Sequence, residues 1–415
     1  YRCPPLLDRL GVAEGSATDS GIYRIEIESE RRRTIVPRGD LTNMQDCEDF
    51  LQGCLVLGTG GGGSPEMGMR MLKKALQDDV PLGWVDADDI PDDAWSVNPC
   101  GTGSIAPVSA QTLKEIEALG LVDTMGDDAL IQAVKELENY LGISFGCAVA
   151  FEPGASNTPD ALVVGGRLGI PVVDGDYAGR AVPEDIQATT HLYGKHIWPF
   201  SAVDRWGNIT IVKKCANPRM GERLGKHLAL AAFGDASTAI TPIPAREMKE
   251  VLVRGTLSKC LAMGRARRQA VEKAEDPIDA IVEVADGWRL FEGTVAGKDW
   301  EDRDGYMFGT THVGGTGDYV GQTLDVWFKN ENHVSWLNGK PWICSPDILT
   351  FVRARSGEGI TNTDIKEGDE VVAIGIKGLE AFRTEFGLND CTGPRYFGFD
   401  IDYRPIEELV ADRNA

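Results

Sequence analysis

Cys147-Ala148-Val149-Ala150-Phe151, Glu152-Pro153-Gly154-Ala155-Ser156-Asn157, Ala161-Leu162-Val163-Val164-Gly165 and Ile170-Pro171-Val172-Val173-Asp174-Gly175-Asp176 follow one another along the chain, and this succession decides the fold class. The first, third and fourth segments are short apolar runs set between turn residues, the pattern of buried strands. Upstream, Leu130, Ile131, Val134, Leu137 and Leu141 recur at helical spacing within Asp128 to Leu141, and Gly142 supplies a C-terminal stop. Short buried strands between amphipathic helices imply a mixed α/β sheet.

Working outward, residues 1–40 are rich in proline, charge and turn residues and read as an extension. Thr42 and Gln45 have capping-box spacing, so a short helix is expected from Leu41, followed by the apolar segment Cys54 to Leu57. Gly58-Thr59-Gly60-Gly61-Gly62-Gly63-Ser64-Pro65 comes next, then helical spacing from Met67 to Leu76. Residues 77–107 carry turn signals between short strands, and Ala245 to Lys273 reads as one long, charged helical block. From Gly287 onward strands dominate: Val320 to Phe328, Pro341 to Ile343, Ile348 to Val352 and Glu370 to Ile376. At 415 residues the chain exceeds the roughly 250–300 at which one core stops growing. The expected architecture is therefore an α/β N-terminal domain (41–211) followed by a β-rich C-terminal domain (212–405), with a tail at 406–415.

The net charge of -22 opposes non-specific binding to nucleic acid or to an anionic membrane. No run approaches the ~18 apolar residues of a membrane span, and no signal peptide is visible. The nine cysteines are scattered without a C-x-x-C pair, as reduced thiols are. A cytoplasmic protein, a homo-oligomer acting on a small molecule, is expected.

Two segments carry most of the chemistry. The glycines Gly60, Gly61, Gly62 and Gly63 let backbone amides approach a carboxylate, an oxyanion or a phosphate, and a helix N-terminus beyond them would add positive charge. The loop lacks the Gly-Lys-Ser/Thr ending of a P-loop, and a plain turn between strand and helix is the simpler alternative. Asp174 and Asp176 follow a buried-type strand, where α/β sheets place their ligand crevice, with Arg180 and Glu184 close behind. These acids are candidate bases or metal ligands, and Arg180 a candidate fork for a carboxylate; the bland alternative is an Asp-Gly turn neutralised by Arg180. Both segments are expected to meet in one cleft. His191 and His196 form a local pair among only five histidines, without an established zinc spacing. Glu152, Asn157 and Glu331 lie in polar breaks between apolar runs and are candidate substrate-binding walls. No G-x-S-x-G elbow is present.

Taken in order, Leu57-Gly58-Thr59-Gly60-Gly61-Gly62-Gly63, Pro171-Val172-Val173-Asp174-Gly175-Asp176, Gly179-Arg180-Ala181, Pro183-Glu184, Asn330-Glu331, Pro346-Asp347 and Gly393-Pro394-Arg395-Tyr396-Phe397-Gly398-Phe399-Asp400 resemble the S-methyl-thiohydantoin desulfurase-like family. The resemblance runs over residues 41–405. It implies an α/β domain, a β-rich domain, chemistry on a hydantoin-type heterocycle, and metal dependence as in related desulfurases. Two loops depart from the family's pattern, Gly101 to Pro107 and Pro153-Gly154, and both are candidates to line the pocket.

The reading these lines converge on is metal-assisted hydrolysis of a hydantoin-like or thiohydantoin-like ring, by C–S or C–N cleavage. Asp174 and Asp176 would hold the metal or activate water, Arg180 would bind substrate charge or orient an acid, and the glycine-loop amides would stabilise an anionic group. The expected metal is zinc or manganese, held by some of Asp174, Asp176, Glu184 and His191. The rival readings are an ATP-dependent enzyme using the glycine loop for phosphate, and a non-catalytic ligand-binding partner of a hydantoinase-type enzyme.

Overall fold

A computed structural model describes residues 38–104, 108–121, 125–126 and 128–414. The expected N-terminal extension lies outside the described residues up to residue 37.

Two large sheets pack on helices between them, and a two-stranded ribbon pairs Gly175–Asp176 with Val253–Arg254. The first has eight strands in the order Gly39–Asp40, Gly83–Val85, Val172–Val173, Phe145–Ala148, Trp95–Gly103, Asp235–Pro244, Phe200–Val203 and Ile209–Val212. Its centre is parallel, from Gly83–Val85 to Trp95–Gly103, and its flanks are antiparallel. The second sheet is antiparallel throughout, in the order Lys340–Cys344, Glu331–Leu337, Thr323–Lys329, Tyr306–Gly315, Gly287–Arg303, Glu370–Ile376 and Ile348–Arg353. The fold is thus an α/β half followed by a β-rich half. The chain does not leave the first sheet at residue 212, however: Asp235–Pro244 returns to pair with Trp95–Gly103.

Helix Met44–Leu57 crosses helix Thr256–Lys273 closely. A Cβ on Gly53 would lie 1.9 Å from the Cys260 carbonyl oxygen, so this crossing tolerates no side chain there. Phe50, Leu57, Leu257, Cys260 and Ile281 join Trp84 and Val172 of the first sheet to Val352, Val372 and Ile374 of the second in one buried cluster. Apolar burial is worth roughly 25 cal/mol per Å², and here it welds the two sheets through the helices between them.

Several local expectations are corrected. Cys54 to Leu57 completes the first helix, whose cap is Asn43, with its side chain accepting the Asp46 amide. The glycine loop therefore joins two helices, the second being Pro65–Gln77 with Ser64 as cap. Ala161 to Gly165 lies in helix Asn157–Leu168, because a helix buried all round shows an unbroken apolar run like a strand's. The 245–273 block breaks at Val251, inserting strand Val253–Arg254 between helices Ala245–Val251 and Thr256–Lys273. The tail is helix Ile406–Asn414, whose Ile406, Leu409 and Val410 pack on the second core. Among the described residues, no helix is long and apolar enough to cross a membrane.

Candidate functional site

A cavity of about 380 Å³ lies where the glycine loop meets both sheets. Three hydrogen bonds, two of them between backbone groups, fix the loop against the second half: Asn332 N to Thr59 O at 2.9 Å, Asn362 N to Gly60 O at 2.7 Å, and Gly62 N to Glu331 Oε1 at 3.1 Å. Asn330 adopts a left-handed φ of 55°, its side chain accepts the Met307 amide, and the turn delivers Glu331 into the cavity wall. A Cβ on Gly61 would stand 1.9 Å from Glu331 Oε1, so this glycine exists to admit the carboxylate. The loop's openness is used first on the protein's own acid.

Glu152 comes from the other side, past the carboxyl end of parallel strand Phe145–Ala148, where α/β sheets open their crevices. Its carboxylate accepts Asn157 Nδ2 at 2.6 Å and the Val182 amide at 2.5 Å. Both glutamates are buried, at 3% and 2% exposure. Burial pushes Glu152 well above the ordinary carboxyl range, and the charge of Glu331 pushes it further. Burial likewise pushes Glu331 up to about 7, against the pull of the Arg180 guanidinium and the Gly62 amide. Two carboxylates so desolvated do not both ionise at neutral pH, so the pair retains a proton. Glu331 Oε2 is buried without a hydrogen-bond partner.

A second acid pair lines the same cavity. Glu222, on helix Pro218–Ala231, accepts the Asp185 amide and the Tyr306 hydroxyl, each at 2.7 Å. Burial and Glu222 together push Asp185 well up. Lys226, one turn along that helix, donates to the Gly103 carbonyl at 2.9 Å and stands 4.4 Å from the Tyr306 ring. Sequence reasoning missed Asp185, Glu222 and Lys226, since acid and base at helical spacing read as a solvated face. Altogether six acids (Glu152, Asp160, Glu184, Asp185, Glu222, Glu331) face two bases, Arg205 and Lys226. Cys100 also lines the wall, but burial raises its thiol far above the range of a nucleophilic thiolate.

Of the residues singled out beforehand, the structure brings together Gly60, Gly61, Gly62, Gly63, Glu152, Asn157, Glu184 and Glu331. The acidic segment reaches the cavity only through its end, Val182 to Asp185. Asp174 and Asp176 do not line it. Asp174 caps helix Thr256–Lys273, accepting Ser258 N at 3.0 Å and Ser258 Oγ at 2.6 Å, and pairs with Arg38 Nε at 3.2 Å. Asp176 Oδ1 closes its own turn onto the Ala178 and Gly179 amides, both at 2.6 Å, and burial pushes its pKa up to about 6. Arg180 is buried and donates to Ala181 O, Asp347 O, Thr59 Oγ1 and Asn332 O, all neutral acceptors. It positions the glycine loop on the second sheet rather than touching the cavity.

The metal set of Asp174, Asp176, Glu184 and His191 is therefore a correction. Glu184 is held by Lys329 and Tyr396, each at 2.8 Å, and His191 lies against Phe386, with ring centroids 5.8 Å apart. His196 stacks on Trp198. The four side chains are set in separate surroundings, and among the described residues no three His, Cys, Asp or Glu side chains are grouped to hold a metal ion. As placed, these residues do not fit a divalent cation.

The arrangement defines a class: a two-sheet α/β protein with buried carboxylates around a cavity at a glycine loop. Comparison with known proteins gives the family. The S-Me-THD-like N-terminal domain matches residues 45–214 and the S-Me-THD-like C-terminal domain residues 216–406, so the chain belongs to the S-methyl-thiohydantoin desulfurase-like family. A crystal structure of a protein from Chromobacterium violaceum shares the fold, with a TM-score of 0.71 and 19% identity over 89% of this chain and 100% of that one. No curated protein matches it.

Proposed function

We propose that this chain hydrolyses a small, uncharged heterocycle of the thiohydantoin or hydantoin class, with Glu331 and Glu152 as its acid–base pair. The observation that carries the reading is Glu331 Oε2, buried without a partner on the wall of a cavity of about 380 Å³. Such an acceptor needs a donor from the substrate or from a nucleophilic water. The family's name supplies the heterocycle, and the acid-rich wall opposes a polyphosphate.

In the proposed reaction Glu331 takes a proton from water while the water oxygen bonds to the ring carbon bearing sulfur. Glu152 gives its proton to the adjacent ring nitrogen as the C=N bond becomes single. Collapse of the tetrahedral intermediate breaks the C–S bond. The departing sulfur takes the proton held by Glu331, and the new hydroxyl loses its own to Glu152, so both carboxyls return to their starting states. The N-terminus of helix Pro65–Gln77, with Ser64 at the cavity, favours negative charge developing there.

The test is turnover by the purified chain alone, with an S-methyl-thiohydantoin, a thiohydantoin and a hydantoin offered in parallel. Release of thiol or sulfide supports C–S cleavage, and a ring-opened ureido acid supports C–N cleavage. No turnover of any of them, with stimulation of a hydantoinase-type partner instead, would overturn the catalytic reading.

A further inference from the structure

A second cavity, of about 170 Å³, lies on the other side of Arg180 and has the opposite electrostatic character. Its wall holds Arg180, Arg254, Lys259 and Lys377 and no aspartate or glutamate, in a chain whose net charge is -22. Two of the cations are not neutralised by ion pairing. Among the described residues, neither Arg180 nor Lys259 has a carboxylate at salt-bridge distance; Lys259 donates to the Ala285 carbonyl at 2.9 Å. Arg180 has five N–H groups, and the four bonds to its neutral acceptors leave one Nη1 hydrogen over. By contrast, Arg254 pairs with Asp86 and Asp88, and Lys377 with Glu380 and Glu407, at the cavity's outer side.

One further polar group on this wall lacks a partner. Gln187 Nε2 is buried without an acceptor, its Oε1 being taken by the Glu184 amide, whereas the Thr256 hydroxyl faces the Asp176 carboxylate. Gln187 is 1% exposed. A buried amide N–H left unpaired is destabilising. Donors and cations thus converge on a space that supplies no anion of its own. The cavity is too small for a nucleotide but holds a few heavy atoms.

We propose that this cavity is a binding site for a small oxyanion, a carboxylate or phosphate, gripped by Arg180, Lys259 and the Gln187 amide. The ligand would be separate from the substrate of the first cavity and would be sensed there, because Arg180 also holds Thr59 of the glycine loop.

The experiment is calorimetric titration of the purified chain with inorganic phosphate and, separately, with acetate, at ionic strength held constant with chloride. Saturable binding of either anion supports the site, and the arm that binds names the oxyanion class. Lys259→Met and Gln187→Leu should each weaken that binding by roughly tenfold, the loss of one charge-assisted or buried hydrogen bond. Each variant's melting temperature without anion checks that it folds. Lys377→Gln, at the outer side, serves where either buried variant does not fold, and should weaken binding less. Absence of binding by both anions, or binding unchanged by all folded variants, overturns the proposal.

Discussion

Glu331, from the second sheet, accepts the Gly62 amide of the glycine loop at 3.1 Å, and a Cβ on Gly61 would overlap that carboxylate. One hydrogen bond therefore ties the acid to the loop that makes room for it. Glu331→Gln keeps the shape and removes the charge. It should lower kcat by roughly 10²–10⁴-fold, the range of general acid–base catalysis, while leaving the circular dichroism spectrum unchanged. Activity within a factor of a few of the parent would show that Glu331 is not the base.

The same carboxyl makes a prediction about stability. Its folded pKa, about 7, lies above the ordinary carboxyl value of 4.5, so the folded chain holds the proton more tightly than the unfolded chain. That contribution is complete below pH 4.5 and is lost as pH rises through about 7. Asp176, pushed up to about 6, acts in the same direction. Glu331→Gln removes the cost of ionising a buried acid, so its melting temperature relative to the parent should rise between pH 5 and 8. A pH-independent difference would mean that Glu331 does not titrate in this window.

In catalysis the same ionisation should appear with the opposite sense. A base must be deprotonated, so kcat/KM should fall as pH drops below about 7, and Asp185→Asn should keep this limb because its pair with Glu222 is separate. A profile flat from pH 5 to 8 would remove the glutamate base from the mechanism.

Gly61→Ala tests whether the loop's openness serves the acid or a ligand. The added methyl must push Glu331 aside, because the atom it meets at 1.9 Å is the carboxylate oxygen itself. kcat should fall by roughly tenfold or more from misplacement alone, with a far smaller effect on KM. A rise in KM at constant kcat would instead assign the loop to substrate binding.

How much of this was legible depends on what each residue's neighbours in sequence reveal. Glu370–Ile376 and helix Asp128–Leu141 fall where expected, because their periodicity is local and unbroken. Ala161 to Gly165 looked like a strand because helix Asn157–Leu168 is buried on nearly every side. Glu152 and Glu331 were recognisable as wall residues from their polar settings, but their pairing was not, since it depends on two sheets meeting. Asp174 and Asp176 drew attention for chemistry, but neither lines the cavity and both hold local structure. The strand-end position was right, yet Ser258 and the Asp176 turn amides, which decide the role, become visible only in the fold.

Asp174 therefore supplies the sharpest separation of structural from chemical roles. It is 1% exposed, receives both the amide and the hydroxyl of Ser258, and through Ser258 Oγ is linked to Trp84 Nε1 at 2.9 Å. Its negative charge faces the N-terminus of helix Thr256–Lys273, where it is favoured by the helix dipole. Asp174→Asn keeps one acceptor but turns an amide N–H₂ towards a hydroxyl that must now accept. The expected cost is about 1–3 kcal/mol of stability, as for a charge-assisted hydrogen bond, read as a lower denaturation midpoint. The folded fraction should keep kcat within a factor of a few. Metal content by elemental analysis should equal the parent's, for this variant and for Asp176→Asn alike. Loss of a stoichiometric metal together with activity in either variant would restore these aspartates to the reaction and displace the glutamate pair from its centre.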